Sequence, residues 1–257
     1  MILDKHTCQI QKHGILFCLP KSTSPSTPED YRPISLLTTE YKLLARFLAR
    51  RLRHILADQL MNSHFWGVPS NSIQDTISCV CDILAHAEAT STPLCVLTLD
   101  FQQAFDRISH QYLFHILHRY GISLWSVERI HASYNQATAS VQINGSLGGS
   151  IPIRNGVRQG CPLSVALFAF CFHPLIHALE DGLPSIKTGQ TQHGPVIAYA
   201  DDVMVFVTNP GDFNAIQQVI QLYERAMGAR LNPRKSKALA MGARTEPPTA
   251  LDIDFHE

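Results

Sequence analysis

The chain has 257 residues, of which 45% are hydrophobic and 16% charged, and its 21 basic and 21 acidic residues give a net charge of +0. This composition excludes a disordered chain and indicates a globular protein with one substantial core or two closely packed subdomains. Overall charge therefore gives the chain no grip on nucleic acid, although a local basic surface can still provide one.

The cysteines and the apolar segments indicate where the protein resides. Seven cysteines, an odd number without a CxxC pair, indicate reduced thiols in a reducing compartment. The longest apolar run, VALFAFCF, is too short to span a bilayer, and the N-terminal residues show no signal-peptide pattern. The sequence thus predicts a soluble, non-secreted protein without membrane contact.

Two pairs of histidines have the spacing of metal ligands on a helix, His115 with His118 and His173 with His177. Neither pair stands in an HExxH frame or has an obvious third ligand. Both pairs are therefore predicted to be packed or surface histidines.

Basic residues are concentrated between residues 21 and 53 and between residues 224 and 244. In the first region, Lys42, Arg46, Arg50 and Arg53 form a stripe along a predicted helix. A stripe of this kind is typical of a solvated helix face and does not by itself identify a binding surface.

The first hundred residues predict a loop, two helices and a strand. The Ser/Thr/Pro-rich segment 21–30 is a loop. TTEYKLLARFLARRLRHILADQL follows as a long helix with Thr38 or Thr39 as its N-cap. A second helix is predicted over residues 73–89, and PLCVLTLDF is a β-strand that ends in Asp100.

A short helix and a hairpin come next. SHQYLFHILHRYG is a helix with Ser109 as its cap and Gly121 just past its end. ASVQINGSLGGSIPI predicts a hairpin with Asn144-Gly145 at the turn.

The last part of the chain completes a mixed pattern. A helix is predicted to begin at Pro162 and to kink or break at Pro174. PVIAYA and VMVFVT form a hairpin with Asp201-Asp202 as its two-residue turn. A helix through FNAIQQVIQLYERAMG and a strand near KALAMG follow. Strands interleaved with helices and hairpins predict an α+β fold with a mostly antiparallel sheet.

Two strand ends present carboxylates, Asp100 on one and Asp201-Asp202 on the other. At a hairpin tip such residues either point into water or surround a cation. If the strands are neighbours, the like charges raise each other's pKa unless a cation compensates them. Oxygen ligands favour Mg²⁺, and two such ions about 3.5–4 Å apart promote phosphoryl transfer.

An ordered series of segments resembles one known family, the reverse transcriptase domains of non-LTR (LINE-type) retrotransposons. The resemblance covers about residues 15 to 240. The matching segments are, in the order of the family, EDYRPISLLTTEYKLLARFLARRL, VPSNSIQDTI, LDFQQAFDRI, NGVRQGCPLSVALF, AYADD and LNPRKSK.

The resemblance implies a right-hand polymerase with fingers and a mostly antiparallel palm sheet. It implies an enzyme that copies RNA into DNA by adding dNTPs to the 3′-OH of a DNA primer on an RNA template. The expected organisation is one domain over 1–257, with fingers at approximately 1–95 plus part of 110–155, palm at approximately 96–110 and 156–245, and a truncated tail at 246–257.

The AYADD and LDFQQAFDRI segments supply the residues expected to act in catalysis. By resemblance, Asp100, Asp201 and Asp202 bind two Mg²⁺ ions, with Mn²⁺ as a substitute. Phe105 matches the aromatic residue that closes the sugar pocket, where its ring excludes a 2′-OH. Tyr199, in AYADD, is expected to contact the nucleotide. From the residues alone, the favoured interpretation of Phe105 is a core residue on a strand-to-helix turn.

Further residues are expected to hold the incoming nucleotide. Arg32 matches an arginine that lies against the triphosphate, a role suited to a planar guanidinium, and Lys21 is expected to assist it. Gln159 and Gly160 match a segment that lies against the nucleotide and the template base. Lys235 matches a lysine proposed to donate a proton to the departing pyrophosphate, while the alternative is a solvated basic loop.

The sequence also departs from the family pattern. Ser70-Asn71-Ser72 replaces a usual Gly-Arg-Ser triplet, and Val165 replaces a usual proline. The thumb and its primer-grip strand, an endonuclease and a Cys/His knuckle are missing, so the chain is expected to be a fragment or a truncated element copy. A full-length element would add the endonuclease and thumb regions.

Alternatives to an active polymerase remain. One is a catalytically silent nucleic-acid-binding relic of such an element, and another is a group II intron-type reverse transcriptase. Nucleotide cyclases fit the aspartates but not the other segments. The family further implies a monomer that assembles in the cytoplasm and acts in the nucleus.

Overall fold

The computed structural model describes residues 9–59, 73–242 and 253–256. The chain divides into two compact units, Met1–His54 with Phe105–Phe170 (unit 1) and Ile55–Ala104 with Cys171–Glu257 (unit 2). Neither unit is continuous in sequence. The predicted limits of fingers and palm stay a prediction, and the departure at Ser70-Asn71-Ser72 lies outside the described residues, as does most of the predicted tail.

The elements of the described residues follow in chain order. The helices are α1 (Gln9–Lys12), α2 (Thr39–Gln59), α3 (Ile73–Thr90), α4 (Ala104–Arg107), α5 (His110–Arg119), α6 (Leu124–Tyr134), α7 (Ser164–Gly182) and α8 (Asp212–Met227). The strands are β1 (His13–Pro20), β2 (Tyr31–Leu36), β3 (Leu94–Leu99), β4 (Thr138–Ile143), β5 (Ser146–Pro152), β6 (Ile186–Thr188), β7 (Thr191–His193), β8 (Val196–Tyr199), β9 (Asp202–Val207), β10 (Lys237–Met241) and β11 (Asp254–His256).

Unit 1 contains a four-stranded sheet in the order β2-β1-β4-β5. β1 is antiparallel to β2 and parallel to β4, and β4 and β5 form the predicted hairpin. At its turn, Asn144 and Gly145 both have positive φ, 48° and 80°, as a type I′ turn requires. The NG signal in the sequence therefore gives the observed turn.

The long helix α2 begins where the sequence predicts. The Thr38 hydroxyl accepts a hydrogen bond from the Tyr41 backbone N–H at 3.3 Å, which satisfies one free donor of the first turn. One face of the helix is buried through Tyr41, Ala45, Leu48, Leu52 and Leu56. Most of the basic stripe is solvated, with Arg46, Arg50 and Arg53 exposed.

The cap and stop signals of α5 are also confirmed. The Ser109 hydroxyl accepts a hydrogen bond from the Tyr112 backbone N–H at 3.5 Å. Gly121, just past the helix end, has a φ of +66°, which glycine adopts without a Cβ penalty.

Unit 2 contains a five-stranded sheet in the order β11-β10-β3-β9-β8. β3 lies at its centre, antiparallel to both β10 and β9, and the only parallel pair among the described strands of this sheet joins β10 to β11. The predicted mostly antiparallel sheet is therefore confirmed. Its core joins helix α3 to the strands through Ile83, Ala87, Leu94, Val96, Ile197 and Phe206.

Two local predictions need correction. Helix α7 begins at Ser164 and not at Pro162, and at Pro174 the chain does not break but stays helical to Gly182. Leu175 and Leu179 are each only 1% exposed, so burial beyond the proline offsets the backbone hydrogen bond that proline cannot donate.

None of the helices within the described ranges is long and apolar enough to cross a membrane.

The second correction concerns the acidic hairpin. Tyr199 pairs with Asp202, so the two-residue turn is Ala200-Asp201 and Asp202 is already the first residue of β9. The turn is shifted by one residue because the β8–β9 register continues to the pair Tyr199–Asp202 and leaves only Ala200 and Asp201 between the strands. Ala200 adopts a positive φ of 57° there.

Candidate active site

Asp100 and Asp202 occupy facing positions at one end of the unit 2 sheet. The last pair between β3 and β9 is Leu99 with Val203. Asp100 follows Leu99 and Asp202 precedes Val203, so the antiparallel register places the two aspartates opposite each other one step further along. Asp201 adjoins them in the hairpin turn. The structure thus brings together the three aspartates that the sequence singled out.

The hairpin tip is held in a strained conformation. Ala200 has a φ of 57°, a region that residues with a Cβ rarely occupy. Tyr199 ends β8 with a half-buried side chain, and Asp201 is half-buried as well. The turn therefore presents Asp201 and Asp202 from a backbone that the pairing of β8 with β9 keeps in place.

Negative charges are concentrated at this end of the sheet. Partial removal from water raises the pKa of the Asp202 carboxyl, and the charges of Asp201 and Asp100 raise it further. The negative charges thus repel each other, and the carboxylate oxygens suit a hard divalent cation. Within the described residues, no group of three or more His, Cys, Asp or Glu side chains is arranged to hold a metal ion.

The loop before β10 fixes Asp100. The Asn232 side-chain amide donates to Oδ2 of Asp100 at 3.0 Å, and the Asn232 backbone N–H donates to the Asp100 carbonyl oxygen at 2.8 Å. The Asp100 backbone N–H in turn donates to the Ser236 hydroxyl at 3.0 Å. Lys235 lies in the same loop with an exposed side chain, and its backbone N–H donates to the Asn232 carbonyl.

In unit 1, the ladder between β1 and β2 carries the two predicted phosphate-binding cations. Arg32 pairs with Leu19, and the Lys21 backbone N–H donates to the Asp30 carbonyl at 2.7 Å. Side chains alternate between the two faces of a strand, so Lys21, two residues after Leu19, lies on the same face of the ladder as Arg32. Both side chains are exposed. The Asp30 carboxylate holds the loop between the strands, because it accepts hydrogen bonds from the backbone N–H groups of Ser26 and Thr27. These hydrogen bonds lower the pKa of Asp30.

Gln159 and Gly160 lie against β2. The Ser35 backbone N–H donates to the Gln159 carbonyl at 2.7 Å. Gly160 has a φ of +92°, and a Cβ at this position would lie 3.0 Å from the Ser35 carbonyl oxygen. Gly160 therefore serves both as a turn residue and as a point of close backbone approach, as the sequence left open.

Phe105 is half-buried and stacks on Phe168, with ring centroids 4.2 Å apart and planes inclined by 9°. One face of the ring is thus covered by a core residue. Its backbone carbonyl accepts a hydrogen bond from the Val157 N–H at 2.8 Å. Phe105 packs on a core residue and is only half-buried, so the structure accommodates both interpretations of this residue.

Comparison with known proteins decides the family. The chain matches the family described as reverse transcriptase (RNA-dependent DNA polymerase) over residues 10–251. The chain belongs to the reverse transcriptase family. The resemblance to the non-LTR retrotransposon class is confirmed, and the family uses divalent metal ions.

The relatives of this reverse transcriptase domain come from transposable elements. It is 33% identical over 245 residues to the transposon TX1 uncharacterized 149 kDa protein of Xenopus laevis, covering 95% of this chain and 18% of that protein. It is 30% identical over 230 residues to the Pol polyprotein from the R2 retrotransposable element of Popillia japonica, covering 88% of this chain and 32% of the relative. The chain thus spans less than a third of these relatives.

Solved structures show the fold of the reverse transcriptase domain. Telomerase from Candida albicans, in complex with a TWJ fragment of telomeric RNA, superposes with a TM-score of 0.63 at 14% identity, over 94% of this chain and 44% of that one. Apo telomerase from Candida tropicalis, truncated from its C-terminal domain, gives a TM-score of 0.62 at 15% identity, over 92% of this chain and 51% of that one. At this identity the likeness concerns the fold alone, and the predicted α+β polymerase class is confirmed.

Sequence reasoning missed three polar residues of the reverse transcriptase domain, Asn232, Ser236 and Asp106. Asn232 and Ser236 lie in LNPRKSK, and Asp106 lies in LDFQQAFDRI. The family resemblance covers both segments, but it assigns roles only to Lys235, Asp100 and Phe105 within them. Each of the three is a short polar residue near a predicted site residue in sequence. Only the hydrogen bonds of the structure show which partner it holds.

Proposed function

We propose that this domain is an RNA-directed DNA polymerase that joins dNTPs to the 3′-OH of a DNA primer on an RNA template. The observation that supports this most directly is the set of mutually repelling carboxylates, Asp100, Asp201 and Asp202, at one end of the unit 2 sheet. A protein retains such repulsion where a cation is bound.

Asp100, Asp201 and Asp202 would hold two Mg²⁺ ions, with Mn²⁺ as a substitute. When bound, such ions activate the attacking hydroxyl and stabilise the leaving phosphate oxygens. The protein contributes the placement of the ligands. The Asn232 amide donates one hydrogen bond to Oδ2 of Asp100, and Oδ1 receives none from this loop. The strained turn at Ala200 presents Asp201 and Asp202.

Several residues of unit 1 are proposed as nucleotide contacts. Arg32 and Lys21, on one face of the β1–β2 ladder, bind the triphosphate through charge-assisted hydrogen bonds. Phe105, held by its stack on Phe168, excludes a 2′-OH by steric contact. Gln159 and Gly160 lie against the nucleotide and the template base.

Tyr199 and Lys235 complete the proposed set in unit 2. Tyr199 ends β8 beside the acidic turn and contacts the nucleotide. Lys235, in the loop that holds Asp100, donates a proton to the departing pyrophosphate. We further propose that the domain is a monomer within a longer element protein that assembles in the cytoplasm and acts in the nucleus.

A second candidate is nucleic-acid binding without catalysis. The exposed stripe of Arg46, Arg50 and Arg53 on α2 favours it, because a row of guanidinium groups on one helix face contacts a phosphate backbone. Steep salt dependence of binding to an RNA–DNA hybrid, without primer extension under Mg²⁺ or Mn²⁺, is the result expected of such a relic.

The deciding experiment is primer extension on an RNA template with Mg²⁺ or Mn²⁺. The chain is compared with Asp201→Asn and with Asp58→Asn, a control carboxyl exposed on α2. The proposal expects extension by the chain and by Asp58→Asn and loss of extension by Asp201→Asn. Metal-dependent dNTP binding is measured in parallel, and binding unchanged in Asp201→Asn would refute the metal site.

A further inference from the structure

Asp106 is a half-buried carboxylate that the family-matched set leaves out. It lies in α4, next to Phe105, and its Oδ2 accepts a hydrogen bond from Nε2 of Gln159 at 3.0 Å. Two residues of the proposed nucleotide site thus flank it, one through the chain and one through a hydrogen bond. Both lie with Asp106 in unit 1.

The backbone around this contact is tightly fixed. The Gly156 N–H donates to the Ile108 carbonyl at 2.7 Å, and the Val157 N–H donates to the Phe105 carbonyl at 2.8 Å. A Cβ on Gly156 would lie 2.6 Å from the Asp106 carbonyl oxygen, so the two segments touch backbone to backbone. The side chains of Asp106 and Gln159 therefore meet from rigidly placed main chains.

The chemistry of the pair selects one orientation of the glutamine amide. An ionised carboxylate only accepts hydrogen bonds, and the –NH₂ of an amide only donates. A carboxylate partner therefore requires the nitrogen of the amide, not its oxygen. With Nε2 directed at Asp106, Oε1 of Gln159 is turned to its other side as an acceptor.

The surroundings of Asp106 act on its charge in opposite directions. Burial raises the pKa of the carboxyl, while the Gln159 hydrogen bond and the positive charge of Lys21 lower it. Lys21, a proposed phosphate-binding residue, thus acts electrostatically on the same carboxylate. Neutralising Asp106 would remove the preference for Nε2, since a protonated carboxyl or an amide can also donate to Oε1.

We propose that Asp106 is a positioning residue that fixes the amide of Gln159, so that Gln159 presents a hydrogen-bond acceptor to the incoming nucleotide. The inference rests on the proposed function and deepens it. The nucleotide group that Gln159 recognises must then be a hydrogen-bond donor, either a sugar hydroxyl or an exocyclic amino group of the base.

The first test observes the contact itself by NMR of glutamine side-chain amides. Gln159→Ala assigns the resonance pair, which in the unchanged chain is expected to exchange slowly with solvent and to move as Asp106 titrates. Asp106→Asn should shift the pair and speed its exchange, whereas Asp58→Asn should not. Where Asp106→Asn fails to fold, acidification of the unchanged chain removes the charge instead. An amide pair that ignores the loss of the Asp106 charge would overturn the inference.

The second test is a double-mutant cycle on dNTP affinity, measured with primer-template and Mg²⁺. Asp106→Asn is expected to weaken dNTP binding about 10-fold and to raise KM more than it lowers kcat. In a Gln159→Ala background the same change should cost less than about 2-fold, because Asp106 acts through Gln159. Equal losses in both backgrounds would show that Asp106 does not act through Gln159.

Two further arms identify the donor on the nucleotide. Loss of discrimination between dTTP and its dideoxy analogue in Asp106→Asn indicates a sugar hydroxyl, and selective loss for dATP over dTTP indicates a base amino group. If the unchanged chain binds no dNTP with any metal, the proposed function fails while the NMR test still decides the amide contact. If it binds dNTPs and Asp106→Asn binds them equally well, only the inference fails.

Discussion

Asn232 and Asp100 are joined by two hydrogen bonds, one from the Asn232 side chain to Oδ2 of Asp100 and one from backbone to backbone, at 3.0 and 2.8 Å. The amide donates to the carboxylate and so restricts rotation of the Asp100 side chain. A loop residue about 130 positions away in sequence thus orients one of the proposed metal ligands.

We predict that Asn232→Ala lowers kcat for primer extension about 10- to 100-fold, the range typical of residues that orient metal ligands. The Asp100 carboxylate would rotate freely and meet the metal in fewer of its conformations. The measurement is single-turnover extension with a Mg²⁺ titration, with Gln221→Ala, exposed on α8, as the control. Full activity at ordinary Mg²⁺ would show that Asp100 needs no orienting partner.

We predict that Asp202→Asn stabilises the metal-free protein while abolishing extension. The pKa of Asp202 is raised in the folded state, so the folded chain binds its proton more tightly than the unfolded chain does. Its ionisation therefore costs stability as pH rises through the folded-state pKa, and this cost is absent below the unfolded value near 4. The substitution removes a like charge, and we expect a gain of roughly 0.2–1 kcal/mol at pH 7.

Thermal unfolding with and without Mg²⁺ checks this prediction. Mg²⁺ should raise the Tm of the unchanged chain, and it should raise that of Asp202→Asn less, since one ligand is lost. The difference in Tm without metal should disappear at low pH, where the carboxyl is protonated. A lower metal-free Tm for Asp202→Asn at pH 7 would contradict the repulsion between the aspartates.

Ala200→Gly should stabilise the hairpin tip. Ala200 has a φ of 57°, and its Cβ makes this conformation costly, whereas glycine adopts it freely. After subtraction of the greater freedom of glycine in the unfolded chain, the expected gain is about 0.5–1 kcal/mol. Urea unfolding measures it, with Ala226→Gly, exposed on α8, as a control that should lose about 1 kcal/mol.

Gly160→Ala should destabilise unit 1 by about 1–3 kcal/mol. Its φ of +92° disfavours any Cβ, and the added atom would crowd the Ser35 carbonyl oxygen at 3.0 Å. Gly149→Ala is the matched control, because a Cβ there meets nothing within 4 Å, and its effect should stay within about 0.5 kcal/mol. Comparable unfolding midpoints for the two variants would show that the Gly160 backbone readily relaxes.

Much of the fold could be predicted because several elements carry local signals. Thr38, Ser109 and Asn144-Gly145 act within a few residues of chain, and each gives the cap or turn that its type favours. β1 and β2 could not be predicted in this way, since HGILFCLP and YRPISL lack a clear alternation of apolar and polar residues. The other neighbour of β1 is β4, which follows about a hundred residues later in the chain.

The candidate site shows the same limit. The aspartates stand at strand ends, which a sequence pattern can reveal, and the family resemblance supplies their order. Asn232 and Asp106 act through single side-chain hydrogen bonds across long sequence separations, and no periodicity or spacing encodes such contacts. Pro174 is the converse case, where a strong local signal is overridden by the buried apolar residues that follow it.

The central position of β3 has a consequence for synthesis of the chain on the ribosome. β3 is complete at Leu99, yet its partners β9 and β10 begin only at Asp202 and Lys237. At about 5–20 residues per second, translation leaves the nearly continuous apolar segment LCVLTL without a partner on either edge for roughly 5–20 s. Uncovered strands of this kind associate with other chains. The yield of native protein should therefore depend on chaperone occupancy and on the speed of translation between these two points.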